Sequence, residues 1–111
     1  MATVPNSPGM SIEQAIGAAE VARILGIHPR TMERRRAGVK SLRPLEAQRD
    51  VKLRKIWREL TALFTPENAI AWLKNPLPVL DNRAPVDVMS EDGGLDRVLD
   101  VIGRMVWGIP N

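Results

Sequence analysis

The stretch AAEVARILGIHPRTMERRRAG, residues 18–38, decides how this chain folds. Ala18, Val21, Ala22 and Leu25 recur at helical spacing. Gly26 then offers the left-handed conformation that ends a helix, and Ile27 follows as an apolar plug. Pro29 suits the first turn of a new helix. Small Ala18 and Ala22 let two helices cross closely, and Met32 is placed to close the small core beneath the second one. The spacing therefore predicts helix, tight turn, helix.

In a helix-turn-helix unit the second helix enters the major groove of duplex DNA and its N-terminal half reads bases. Arg30, Thr31, Arg34 and either Glu33 or Arg35 fall at the outward positions. Arg30 and Arg34 lie one turn apart, so one guanidinium can fork onto a guanine while the other grips phosphate, in either assignment. The run Arg34-Arg35-Arg36 repels itself, and a phosphate backbone would neutralise it. The expected DNA-contacting set is thus Arg30, Thr31, Glu33, Arg34, Arg35 and Arg36. The plainer alternative is a helical hairpin with a basic, solvated side. Trp57 is the sole aromatic residue of the first 60, which favours duplex over single-stranded nucleic acid.

Outward from this unit, composition narrows the function classes. At 111 residues and 44% hydrophobic, the chain is one globular domain or two small modules sharing a core. Cysteine is absent and His28 is the single histidine, which excludes disulfides, thiolate zinc sites and thiol nucleophiles. No metal or cofactor is expected, and no enzyme either, since no carboxylate pair stands out at acid/base spacing. No apolar run approaches the roughly 20 residues that cross a bilayer, and the N-terminus lacks a signal-peptide pattern, so a cytoplasmic protein without a membrane partner is expected. Charge is uneven. Residues 1–60 hold twelve Lys/Arg against six Asp/Glu, and residues 61–111 hold four against seven, so the halves should face different partners.

The remaining elements read as helices too. Residues 1–10, MATVPNSPGM, lack periodicity and read as a flexible arm. Ser11 and Gln14 have the spacing of a capping box at the start of SIEQAIG. The longest helix is expected near Pro44 to Phe64, with Leu53, Ile56, Trp57, Leu60, Leu63 and Phe64 as its core stripe and Arg49, Lys52, Arg54, Lys55 and Arg58 on its wet faces. Thr65 and Pro66 start another helix that Asn75-Pro76 ends. A fixed irregular connection with one helical turn at Pro85 leads to a last helix from about Gly94 to Val106. Leu95, Val98, Leu99, Ile102, Met105 and Val106 should face inward there. No strand pattern appears, and the fold class is all-α.

The order of pieces in the second half, AIAWLKNPLPVLDNRAPVDVM and then RVLDVIGRMVWGIP, resembles the C-terminal domain of the Xre/MbcA/ParS antitoxins found beside RES-domain toxins. Trp72, Leu73, Asn75, Pro76, Leu80, Arg83, Pro85, Asp87, Val98, Leu99 and Gly108 match that pattern, and the helix-turn-helix matches the family's Xre-like N-terminal part. Two departures stand out: Arg35 where an aromatic residue is common, and a turn Asp81-Asn82-Arg83-Ala84 in place of a more glycine-rich one. The resemblance covers about Ser11 to Asn111 and, after the arm over 1–10, implies a helix-turn-helix DNA-binding module over 11–60 and a toxin-binding domain over 61–111.

It further implies an antitoxin of a type II toxin-antitoxin system. Such a protein binds a cognate RES-domain toxin that degrades NAD or transfers its ADP-ribose, obstructs the NAD pocket, self-associates as a homodimer and represses its own operon by binding operator DNA. The toxin-binding residues expected on that basis are Asn75, Pro76, Arg83, Asp87, Arg104, Trp107, Gly108, Ile109, Pro110 and Asn111. Asp87, Glu91, Asp92, Asp96 and Asp100 would complement an electropositive NAD pocket. Trp107 and Ile109 would anchor, Pro110 would stiffen the tail, and the Asn111 carboxylate would stand in for an anionic group of NAD. For Trp107, packing on the core is an equal reading. The alternative function is a dimeric helix-turn-helix regulator without a toxin.

Overall fold

The computed structural model describes residues 9–28, 30–31 and 42–107, with only the backbone of Trp107. Within them the chain is helical. Helix α1 (Ile12–Ile16) opens with the expected capping box: Ser11 Oγ accepts from the Gln14 N–H at 3.2 Å, and Gln14 Oε1 accepts from the Ser11 N–H at 2.9 Å. Helix α2 (Ala18–Leu25) ends where Gly26 takes φ 82°. The Ile27 N–H donates to the Ala22 carbonyl at 2.8 Å and the Gly26 N–H to that of Arg23 at 3.2 Å, the paired bonds of a Schellman ending. Ile27 is buried as the plug. Beyond it Arg30 and Thr31 are helical; Pro29, Met32 and the rest of the expected second helix lie outside the described residues.

Helix α3 (Pro44–Leu63) is the spine. Its stripe of Leu53, Ile56, Trp57 and Leu60 is buried against α1, α2 and the later helices. The Trp57 indole N–H donates to the Met10 carbonyl at 2.8 Å, which ties down the last residue of the expected arm. Leu63 departs from expectation: it is 44% exposed, while Leu60 in the same turn is fully buried and Phe64 packs against the core, so Leu63 falls beside the apolar stripe rather than on it. Helix α3 also runs through the expected module boundary at residue 60, and one continuous core joins both sides.

Helix α4 (Pro66–Lys74) starts at Thr65, whose hydroxyl accepts from the Asn68 N–H at 3.3 Å. A 3₁₀ turn (Pro78–Leu80) follows and buries Leu80 completely. Asp81 and Asn82 both adopt positive φ, 59° and 61°, a region that Asp and Asn tolerate better than most residues. Their turn closes with the Leu77 N–H donating to the Arg83 carbonyl at 3.2 Å. The connection is fixed and irregular, as its sequence suggests. Helix α5 (Pro85–Val88) buries Pro85, Val86 and Val88.

Helix α6 (Gly94–Trp107) buries Leu95, Val98, Val101 and Ile102. It lies beside α3 and runs in the same direction: Arg49 faces Asp92 at 3.7 Å, and further along both chains Lys52 faces Asp96 at 2.9 Å. The expected inward face is corrected at its end. Met105 and Val106 are 38% and 48% exposed, and Val101 takes a buried place instead. Core contacts cover the first part of α6 only. Among the described residues no helix is long and apolar enough to cross a membrane.

Candidate functional site

Two surfaces follow from this frame. On the N-terminal side, Arg30 is exposed and Thr31 half-buried, both in helical conformation where the second helix of the expected unit would start. The Arg30 N–H donates to His28 Nδ1 at 3.1 Å, so the histidine side chain satisfies a donor in the way an N-cap does. Glu33, Arg34, Arg35 and Arg36 lie outside the described residues. Among the described residues no group of His, Asp or Glu side chains could hold a metal ion.

On the other side, the Leu77–Arg83 bridge holds the exposed Asn75–Pro76 corner close to Arg83. Arg83 is half-buried and its guanidinium pairs with Glu91. That hydrogen bond, aided by the charge, holds the Glu91 carboxyl below the usual range and raises Arg83 above its own. Asp87 projects one turn away, where Arg23 of α2 reaches it at 3.4 Å and also donates to Ser90 Oγ at 3.1 Å. Asn75, Pro76, Arg83 and Asp87 are therefore brought into one region. Arg104 stands apart from it, exposed near the end of α6 and paired with Asp100 at 3.2 Å. Gly108, Ile109, Pro110, Asn111 and the Trp107 side chain lie outside the described residues.

The acids expected to complement an electropositive pocket are paired within the chain. Asp87, Glu91, Asp92, Asp96 and Asp100 each have a cation of this chain beside them: Arg23, Arg83, Arg49, Lys52 and Arg104. Arg23, Arg49 and Lys52 come from the basic half, so part of its excess is spent across the chain rather than facing a polyanion. Arg49 is the best buried of these and also donates to the Ile24 carbonyl at 2.9 Å, joining α2, α3 and the turn before α6. Arg54 links α1 to α3 through Glu13 at 2.6 Å and Asp50 at 3.0 Å. The Glu13 hydrogen bond leads in raising its pKa above the usual arginine value.

Sequence reading missed a third feature. An open groove of about 430 Å³ runs between the C-terminal halves of α3 and α6, floored by Ala62, Leu63, Leu99, Gly103 and Val106, with Lys55 and Glu59 on its rim. The signal for it was Val51, an apolar residue on a face of α3 that is otherwise charged and 68% exposed in the fold.

These surfaces define a mostly helical protein whose C-terminal helix outruns its core. The family model described as the antitoxin Xre/MbcA/ParS C-terminal toxin-binding domain matches residues 59–108. Antitoxin Xre of Yersinia enterocolitica is 30% identical over 97 residues, covering 86% of this chain and 66% of that protein. The mycobacterial cidal antitoxin MbcA of Mycobacterium tuberculosis is 31% identical over 90 residues, covering 81% of this chain and 79% of that one. A chain in the crystal structure of the M. tuberculosis MbcT–MbcA toxin–antitoxin complex superposes with a TM-score of 0.67 at 28% identity, covering 96% of this chain and all of that one. The chain belongs to the Xre/MbcA/ParS antitoxin family. It spans 66% and 64% of the length of the Xre antitoxins it matches.

Proposed function

We propose that this chain is the antitoxin of a type II toxin–antitoxin pair. In this reading it neutralises a RES-domain toxin by placing its C-terminal residues in the toxin's NAD pocket, and as a homodimer it represses its own operon through the helix-turn-helix. The observation that carries the reading is the exit of α6 from the core: Arg104, Met105 and Val106 are exposed, so this end of the helix is open to a partner. In this reading Trp107 and Ile109 act as anchors, with Pro110 and Asn111 beside them. The Asn75–Pro76 corner, Arg83 and Asp87 form a second contact region on the same half.

Attraction to an electropositive pocket works by exchange. Solvent-exposed ion pairs are weak, so toxin cations can replace Arg23 or Arg83 beside Asp87 and Glu91 at little cost. Relatives support a protein partner, since MbcA is crystallised in a complex with MbcT. For DNA, exposed Arg30 at the start of the second helix supports major-groove contact together with Thr31, Glu33, Arg34, Arg35 and Arg36.

The test expresses the adjacent toxin with two variants. Deleting residues 107–111 should leave the circular dichroism spectrum unchanged and abolish rescue of toxin-expressing cells; intact rescue refutes the tail as plug. Arg30→Ala with Arg34→Ala should weaken operator binding and flatten its salt dependence while rescue persists. Loss of rescue in that variant instead would reverse the roles of the two halves.

A further inference from the structure

We infer that two copies of this chain associate through the outer ridge of α3, packed antiparallel into the groove beside α6. It rests on the proposed homodimer and assigns that dimer a face. Val51, Lys55, Glu59 and Leu63 follow one another at i+4 spacing along α3, which places them on a single ridge of the helix surface. Three of the four, Lys55, Glu59 and Leu63, line the groove, and Val51 and Leu63 are 68% and 44% exposed. Among the described residues neither Lys55 nor Glu59 has an ion-pair partner, although their neighbours Arg49, Lys52 and Arg54 all do.

The ridge reads apolar, positive, negative, apolar. That order is self-complementary under a two-fold axis midway between Lys55 and Glu59. Val51 then meets the partner's Leu63, Lys55 meets the partner's Glu59, and each contact recurs with the roles exchanged, as an isologous interface requires. Ridges of i+4 residues interdigitate at a crossing angle of about −50°. Ala62 and Gly103 keep the groove low where the opposing ridge must enter, and a methyl group added at Gly103 would meet nothing within 4 Å, so the floor has room. A toxin surface would have no reason to mirror this charge order, whereas a second copy does so necessarily.

The experiment is sedimentation equilibrium of the full chain with Lys55→Glu, Glu59→Lys and the two combined. Each single reversal turns both symmetry-related ion pairs into repulsions and should weaken dimerisation by about tenfold or more. The double reversal restores opposite charges and should restore the wild-type association. Both positions of change lie outside the buried core, so the circular dichroism spectra of the three variants should coincide with the wild type. A wild-type chain that stays monomeric at high micromolar concentration overturns both the dimer and its face. A dimer indifferent to the single reversals, or one that the double reversal fails to restore, keeps the dimer and overturns this face. Loss of toxin capture with dimerisation unchanged assigns the groove to the toxin and likewise overturns the inference.

Discussion

The two ends of α6 are built from the same kinds of residue and behave oppositely. At its start Leu95 and Val98 are sealed against α3 and α5; at its end Met105 and Val106, which continue the apolar periodicity, lie open. Hydrophobic spacing fixes which face of a helix is apolar, but burial also needs a neighbour at that level. Gly94 abuts the Val88 and Met89 backbone, whereas beyond Ile102 the side chains of Met105 and Val106 are left 38% and 48% exposed. The first end is part of the core and the second is not.

The largest effect that would sharpen this contrast is at Gly94. A Cβ there would sit 1.7 Å from the Val88 carbonyl oxygen, a backbone atom that α5 holds in place. Gly94→Ala should therefore destabilise by about 4 kcal/mol or more, read as a collapse of the urea midpoint. A stable alanine variant would mean that the corner between α5 and α6 is loose. Next, Ile102→Ala, at a fully buried position, should lose about 2–5 kcal/mol. Met105→Ala, three residues on, should change stability by less than about 0.5 kcal/mol. Equal losses at 102 and 105 would break the comparison, because the core would then extend to the helix end.

The smallest effect concerns the ion pair beside that corner. Arg83 lowers the Glu91 pKa in the folded chain, so the pair stabilises the fold above the ordinary carboxylate range, and that contribution is lost as pH falls through the lowered value. The urea midpoint should decline on acidification, and Glu91→Gln should reduce the slope slightly. A steeper slope in the glutamine variant would give the pair the opposite sign.

Much of the frame was legible in the residues. Ser11 with Gln14, Gly26 with Ile27, and Thr65 with Pro66 mark their helix ends through local hydrogen bonds, which depend on a few adjacent residues. The connection through Asp81-Asn82 was legible as fixed, since Leu77, Val79, Leu80 and Val86 recur among its prolines; the positive φ of Asp81 and Asn82 came only with the structure. The site was less so. Arg49 and Lys52 looked like solvated cations because their partners Ile24 and Asp92, and Asp96, are distant in sequence. The groove escaped for the same reason: Leu63 and Val106 lie on helices about 40 residues apart along the chain.

By itself the sequence determined an all-α chain, its helix ends and membership of the antitoxin family, because these rest on local propensity, capping and motif order. Only the tertiary structure decided that the acidic row is already paired, that Leu63, Met105 and Val106 stay open, and that α3 and α6 run side by side in one direction. Those outcomes depend on which helices meet and how far each extends, and no local pattern encodes the neighbour that a side chain will find.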